Sequence, residues 1–228
     1  MPEAVEDKDL SAARGATRYL PDDRELSSLK RAASGCRGCA LYENATQTVF
    51  GHGDSAAPIM LVGEQPGDRE DLEGLPFVGP AGRLLMRALG DAGIDPACTY
   101  QTNAVKHFKF NRAGKRRIHQ KPGRTEVVAC QPWLFAEIQS LRPQLIVCLG
   151  ATAAQSLLGT AFRVTAHRGE LLRLPATLAA EVDAKPLVTA TLHPSAVLRD
   201  RSDRRDETYE SFVDDLRSAQ TRLQFETR

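Results

Sequence analysis

Short apolar runs bounded by glycine and proline alternate along this chain with longer segments of helical spacing. "PIMLVG" (58–63) and "QLIVCLG" (144–150) are continuous apolar runs of strand length, flanked by turn formers, as buried strands require. "CTYQTNAV" (98–105) reads as a further strand, and "GELLRL" and "PLVTATL" as later ones. Between them lie amphipathic patterns that predict helices: "GPAGRLLMRALGDAG" (79–93), "RTEVVACQPWLFAEIQSLRP" (124–143), the short "ATAAQSLLG" and a closing "DETYESFVDDLRSAQTRL". Pro132 inside the second of these predicts a local distortion. An earlier helix is expected over "DDRELSSLKRAAS", with Asp22 or Asp23 as N-cap, followed by loop from Gly35 to Ala57.

Strands alternating with helices predict an α/β fold, a three-layer α/β/α sandwich around a central, mainly parallel sheet. Residues 1–21 are polar and are expected to be disordered, leaving 22–228 as a single domain. Chemistry in such folds gathers at the carboxyl ends of strands. Those ends here are "GEQPGD", "TNAVKH", "CLGAT" and "TLHPS".

The 30 basic and 29 acidic residues nearly cancel, so any polyanion must be met by a local patch. Such a patch exists. From Val105 to Thr125, "VKHFKFNRAGKRRIHQKPGRT" holds four lysines, four arginines and two histidines without one carboxylate. The first residues lack the apolar core of a signal peptide, and no apolar run reaches spanning length, so a soluble, cytoplasmic protein with no membrane contact is expected. Five cysteines, Cys36 and Cys39 among them as a CxxC, suggest a metal site or a redox pair in a reducing compartment.

"GEQPGD" (63–68) leaves the first strand in a tight turn, where Gly63 lets the backbone approach a ligand and Glu64 and Gln65 add a carboxylate and an amide. Taken alone it is equally a polar turn. Phe77 follows in a Gly/Pro-rich loop before a helix N-terminus, a setting for stacking on a planar ligand. Asn103, at the end of a strand, offers one acceptor and two donors, enough to read a nucleobase edge, although asparagine also serves there as a turn former. His193 precedes Pro-Ser at another strand end, and by itself suits a structural role.

Taken in this order, "GEQPGDREDLEGLPFVGPAGRLL", "TNAVK" and "HPS" resemble the uracil-DNA glycosylase superfamily, in particular its iron-sulfur branch. Gln65 within "GEQPG" and the inserted basic loop ending in "KRRIH" are similar to the UdgX type of that branch. The resemblance implies that the "GEQPGD" pocket, Gly63, Gln65 and Asp68 included, holds a flipped-out uracil, that Phe77 stacks on it and that Asn103 reads its edge. It implies that His193 stabilises the departing base. It further implies a [4Fe–4S] cluster on Cys36, Cys39, Cys130 and His107, the histidine standing where other iron-sulfur relatives have cysteine. A Cys3His zinc site is the physical rival. Cys148 reads as a core residue and Cys98 as a free thiol.

Lys109, Arg112, Lys115, Arg116, Arg117 and Lys121 are candidate phosphate contacts. A phosphate loop needs no histidine, yet His119 follows "KRRI". In the UdgX type the matching histidine bonds to the sugar carbon exposed when uracil leaves. The resemblance thus implies single-turnover excision with covalent capture by His119, aided by Glu64 and Gln65, on uracil-containing DNA, single-stranded DNA favoured, by a monomer. Two alternatives stand beside it: a conventional multiple-turnover glycosylase, and a non-catalytic, metal-stabilised DNA-binding protein.

Overall fold

The computed structural model describes residues 15–226, with side chains through 221. Its centre is a six-stranded sheet of order β1-β3-β2-β6-β8-β7. The four inner strands, β2 (Ile59–Gly63), β3 (Thr99–Asn103), β6 (Leu145–Leu149) and β8 (Leu187–Thr191), run parallel. Two-residue antiparallel strands, β1 (His52–Gly53) and β7 (Leu172–Arg173), close the edges, so "GELLRL" contributes only a short edge strand. Side-chain alternation sorts each inner strand between two cores. Met60, Val62, Ile146, Cys148, Val188 and Ala190 face one layer with Leu134, Ile138 and Leu157. Ile59, Leu61, Leu145, Val147 and Leu187 face the other with Leu85, Leu89, Phe212 and Leu216. These partners lie on α4 (Arg124–Leu141) and α5 (Ala151–Leu158) on one side, and on α3 (Pro80–Asp91) and α9 (Arg205–Glu226) on the other. The remaining helices are α1 (Leu26–Ala33), α2 (Asp68–Glu73), α6 (Val164–His167), α7 (Ala176–Glu181) and α8 (Pro194–Arg199). Three layers around a mainly parallel sheet is the architecture the patterning predicts. None of the described helices is long and apolar enough to cross a membrane.

Three local expectations need correction. The N-cap position of α1 is Glu25, which makes no side-chain cap bond; Asp23 instead accepts from the Glu25 N–H at 2.8 Å and from Ser28 Oγ at 2.6 Å. Of the segment expected to be disordered, residues 1–14 lie outside the described part, but 15–21 are folded. Thr17–Tyr19 forms a 3-10 turn, Ala16 is buried, and its N–H donates to Ala129 O at 3.1 Å. Third, the basic segment is a hairpin. β4 (Phe110–Ala113) pairs antiparallel with β5 (Arg116–His119) through the two-residue turn Gly114-Lys115. Gly114 has φ +61° and Lys115 is not among the positive-φ residues, which matches a II′ turn with glycine first.

β2 and β6 are neighbours whose following connections leave toward opposite edges of the sheet. The crevice at their carboxyl ends is the switch point where ligands bind in open α/β sheets.

Candidate active site

A cavity of about 680 Å³ opens at that switch point. Glu64, Gln65, Asp68, Phe77, Asn103, His119, Lys121 and His193 all line it, so five separate stretches of sequence converge there. Its floor is tightly fitted. A Cβ on Gly63 would come within 2.3 Å of Asn103 Oδ1 and 2.8 Å of Phe77 Cζ. Phe77 has a left-handed backbone, φ +56°, unusual for an aromatic residue. Gly82 permits it, since a Cβ there would meet Phe77 O at 1.7 Å. The strained turn brings the buried ring against Gly63, close to Asn103. Asn103 is also buried, with its carbonyl held by Lys106 Nζ at 2.8 Å.

Behind Asn103 stands a buried ion pair that the sequence did not suggest. Lys106 Nζ lies 2.5 Å from Glu137 Oε2 and 2.6 Å from Thr102 Oγ1. Glu137 also accepts from Tyr100 Oη at 3.0 Å and from the Gly51 N–H at 3.1 Å. With every lone pair and proton matched, the pair pins the end of β3 from which Asn103 projects. Lys106 is thus the first of the segment's basic residues to be structural.

His193 is the N-cap of α8. The Ser195 N–H donates to its Nδ1 at 3.1 Å, so in the neutral ring the proton sits on Nε2. Burial, with help from Arg199 and His119, pushes its pKa down to about 4 and keeps the ring neutral at pH 7. A neutral imidazole with a free Nε2–H is a hydrogen-bond donor, the form needed by a developing anion.

The hairpin explains where His119 points. Residues two apart on β5 share a face, so Arg117 and His119 lie together, opposite Arg116 and Ile118. The Arg117 guanidinium reaches Asp68 Oδ1 and Asp71 Oδ2, each at 2.5 Å, and Thr46 Oγ1 at 3.0 Å, while its face lies over the Phe108 and Phe110 rings. That face is therefore turned onto the body of the protein. His119 Nε2 comes to 3.6 Å from Glu64 Oε1. Gln65 locks the hairpin's base: its Nε2 donates to Lys109 O at 3.2 Å and to Gln120 O at 2.9 Å, and its Oε1 accepts from the Lys109 N–H at 3.1 Å. Both ends of the amide thus hold the hairpin that carries His119, while Gln65 also lines the cavity.

Two further assignments change. Arg117 was a candidate phosphate contact, but its guanidinium is engaged by cavity-lining Asp68 and by buried Asp71. Lys109 likewise pairs with Glu126 at 2.7 Å. Arg112, Lys115, Arg116 and Lys121 are exposed and remain suited to phosphate, together with Arg124, which the sequence reading passed over as a contact. Thr152 was also missed. It lies in the first turn of α5, lines the cavity, and donates through Oγ1 to Glu64 Oε2.

The cysteine corner is a separate small core containing Cys36, Cys130 and Trp133, with Cys39 packed against it. Sulfur accepts three hydrogen bonds there: Gly38 N–H to Cys36 at 3.4 Å, Trp133 Nε1–H to Cys36 at 3.2 Å, and Lys106 N–H to Cys130 at 3.3 Å. Burial drives the Cys130 thiol up to about 12 despite the opposing charge and backbone N–H of Lys106, so a thiolate there needs further positive charge. His107 is buried beside Thr48. The Thr48 hydroxyl donates to Ala33 O at 2.9 Å, so at its 2.9 Å contact with His107 Nε2 the hydroxyl can only accept. That places the His107 proton on Nε2 and leaves a lone pair on Nδ1, the state of a histidine ligand fixed by an outer hydrogen bond. The donor set therefore fits a thiolate-bound metal group. Among the described residues, no group of three His, Cys, Asp or Glu is gathered closely enough to hold a metal ion. Cys148 is buried in the core of the sheet and Cys98 is exposed.

Comparison with known proteins now adds to this geometry. A profile of the Uracil DNA glycosylase superfamily matches residues 50–217. The chain is 36% identical to the Type-4 uracil-DNA glycosylase of Archaeoglobus fulgidus, over 82% of this chain and 88% of that protein. It is 34% identical to the Type-4 uracil-DNA glycosylase of Pyrobaculum aerophilum, over 77% and 85% of the two chains, and 36% identical to that of Thermotoga maritima, over 73% and 80%. With a match across most of its sheet and all of its cavity-lining segments, this chain belongs to the uracil-DNA glycosylase superfamily.

Proposed function

We propose that this protein excises uracil from DNA and then bonds through His119 to C1′ of the sugar left behind, each molecule acting once. One observation carries the reading: His119 Nε2 stands 3.6 Å from Glu64 Oε1 at the mouth of the cavity. A carboxylate beside a sugar cation ordinarily holds the attacking water. Here an imidazole occupies that space.

In this mechanism the flipped uracil enters between Phe77 and the floor at Gly63, and Asn103 reads its edge. The C1′–N1 bond breaks with its electron pair leaving on uracil, whose oxygen accepts from His193 Nε2–H. Glu64 stabilises the positive charge on the sugar. The His119 Nε2 lone pair, in the tautomer protonated on Nδ1, forms the C1′–Nε2 bond; the Nδ1 proton passes to solvent across this half-exposed ring. Gln65 and Arg117 hold the hairpin so that the imidazole arrives before water. A [4Fe–4S] cluster on Cys36, Cys39, His107 and Cys130 would tie together three distant segments, including the turn that follows Asn103.

With single-stranded uracil-containing oligonucleotide in excess, uracil release should stop at one equivalent of protein, and protein and DNA should migrate together after boiling in detergent. Continued release without such a band would establish the conventional turnover of a glycosylase. Reversible binding without release would leave only a DNA-binding protein.

The exposed hairpin cations give a second test. Removing one phosphate contact lowers the slope of log affinity against log salt by about 0.7 on single strands. Arg116→Ala should show that decrease on uracil-free DNA. Arg117→Ala should leave the slope unchanged within error, because its charge is taken up by Asp68 and Asp71, and should instead reduce conjugate formation by loosening the hairpin. Equal slopes for wild type and Arg116→Ala would remove Arg116 from the DNA contact.

A further inference from the structure

The structure assigns to Thr152 the positioning of Glu64 that decides whether His119 or water takes the sugar, an inference that rests on the capture reading above. Glu64 follows β2 and Thr152 sits in the first turn after β6, so their contact bridges the two strand ends that form the crevice. Thr152 is buried, 6% exposed, and its hydroxyl donates to Glu64 Oε2. The side chain of Glu64 is itself 21% exposed and its other oxygen faces His119. A carboxylate held at one oxygen cannot rotate about its terminal bond without losing a charge-assisted hydrogen bond. One carboxylate oxygen is thereby kept toward the imidazole while the other stays on the Thr152 hydroxyl. The chain fixes Thr152 in turn. Gly150, at φ +93°, is the N-cap of α5 and its N–H donates to Thr191 O at 2.9 Å, and a Cβ there would stand 3.1 Å from the His193 Cβ. The hydroxyl is thus anchored to the same strand ends as His193.

Both fates of the sugar balance. Capture forms C1′–Nε2 and releases the Nδ1 proton; hydrolysis forms C1′–O from water and releases a water proton; in each, uracil leaves with the electron pair of C1′–N1. The quantity to measure is free abasic product over conjugate, per uracil released, for wild type, Thr152→Val and Thr152→Ser on single-stranded uracil oligonucleotide. This ratio does not depend on how much of each preparation is folded. Loss of one hydrogen bond to a charged group should raise it about tenfold in Thr152→Val, and Thr152→Ser, which restores the hydroxyl, should return it to within about threefold of wild type. A wild-type ratio retained in Thr152→Val, or a raised ratio that Thr152→Ser does not correct, would overturn the assignment. Absence of any conjugate in the wild type would instead overturn the capture reading on which it rests.

Discussion

Under the capture proposed above, His119→Ser should let uracil release continue past the one equivalent at which the wild type is expected to stop. The residues proposed to bind and release uracil, Phe77, Asn103 and His193, lie on other segments, and the mutation leaves the Gln65 and Arg117 anchors of the hairpin in place. Serine opens a space beside Glu64 Oε1 of the size of a water molecule or two. Water placed there should hydrolyse the sugar cation, so uracil release should pass one equivalent and the product should be an abasic site free of protein. Glu64→Gln should behave differently, slowing both release and capture by about a hundredfold or more, since the loss of a charge facing the sugar cation precedes either fate. A boiling-resistant conjugate formed undiminished by His119→Ser would exclude this histidine as the nucleophile.

The difference between these two variants could be anticipated from sequence more readily than the hairpin that makes it possible. The inner strands were legible because "PIMLVG" and "QLIVCLG" are buried on both faces and so read as unbroken apolar runs. β4 and β5 carry the same period of two, but their inward face is Phe110, Arg112, Arg117 and His119. Arg112 and His119 stay exposed on that face, and half-buried Phe110 and Arg117 are held by ring stacking and ion pairs, which a hydrophobic pattern does not register. The carboxylates that engage Arg117 lie 46 and 49 residues earlier in the chain, so a paired arginine and a phosphate-binding one look alike in "KRRIH". Lys106 and Glu137 pose the same difficulty within the core. Thr152 stood in the "CLGAT" strand end, but its role was hidden for a topological reason: it exists only because β2 and β6 are neighbours, with β3 on the far side of β2. Strand ends and glycine-rich turns made Glu64, Phe77, Asn103 and His193 candidates, the resemblance of their motifs in order gave them roles, and the cavity does bring them together.

The second large effect should come from the cysteine corner. Protein prepared without oxygen should be brown and carry iron, with visible absorbance that bleaches on oxidation. Cys130→Ser should lose that absorbance and most of the bound iron, because it removes the thiolate on α4 that, in the proposed ligand set, joins the CxxC to the turn after β3. Its loss should lower the melting temperature by roughly 6–12 °C, the consequence of removing about 3 kcal/mol of bound-group stabilisation from a domain of this size. His107→Cys should keep both iron and stability, since a thiolate can replace the imidazole, whereas His107→Phe should lose iron while filling the same buried space. Thr48→Val should fall between them, for it removes the acceptor that holds the His107 proton on Nε2 and leaves Nδ1 free to bind metal. That order separates a ligand from a merely buried histidine, because a packing role would favour phenylalanine over cysteine. One zinc and no iron in the wild type, or iron retained in full by His107→Phe, would displace this ligand set.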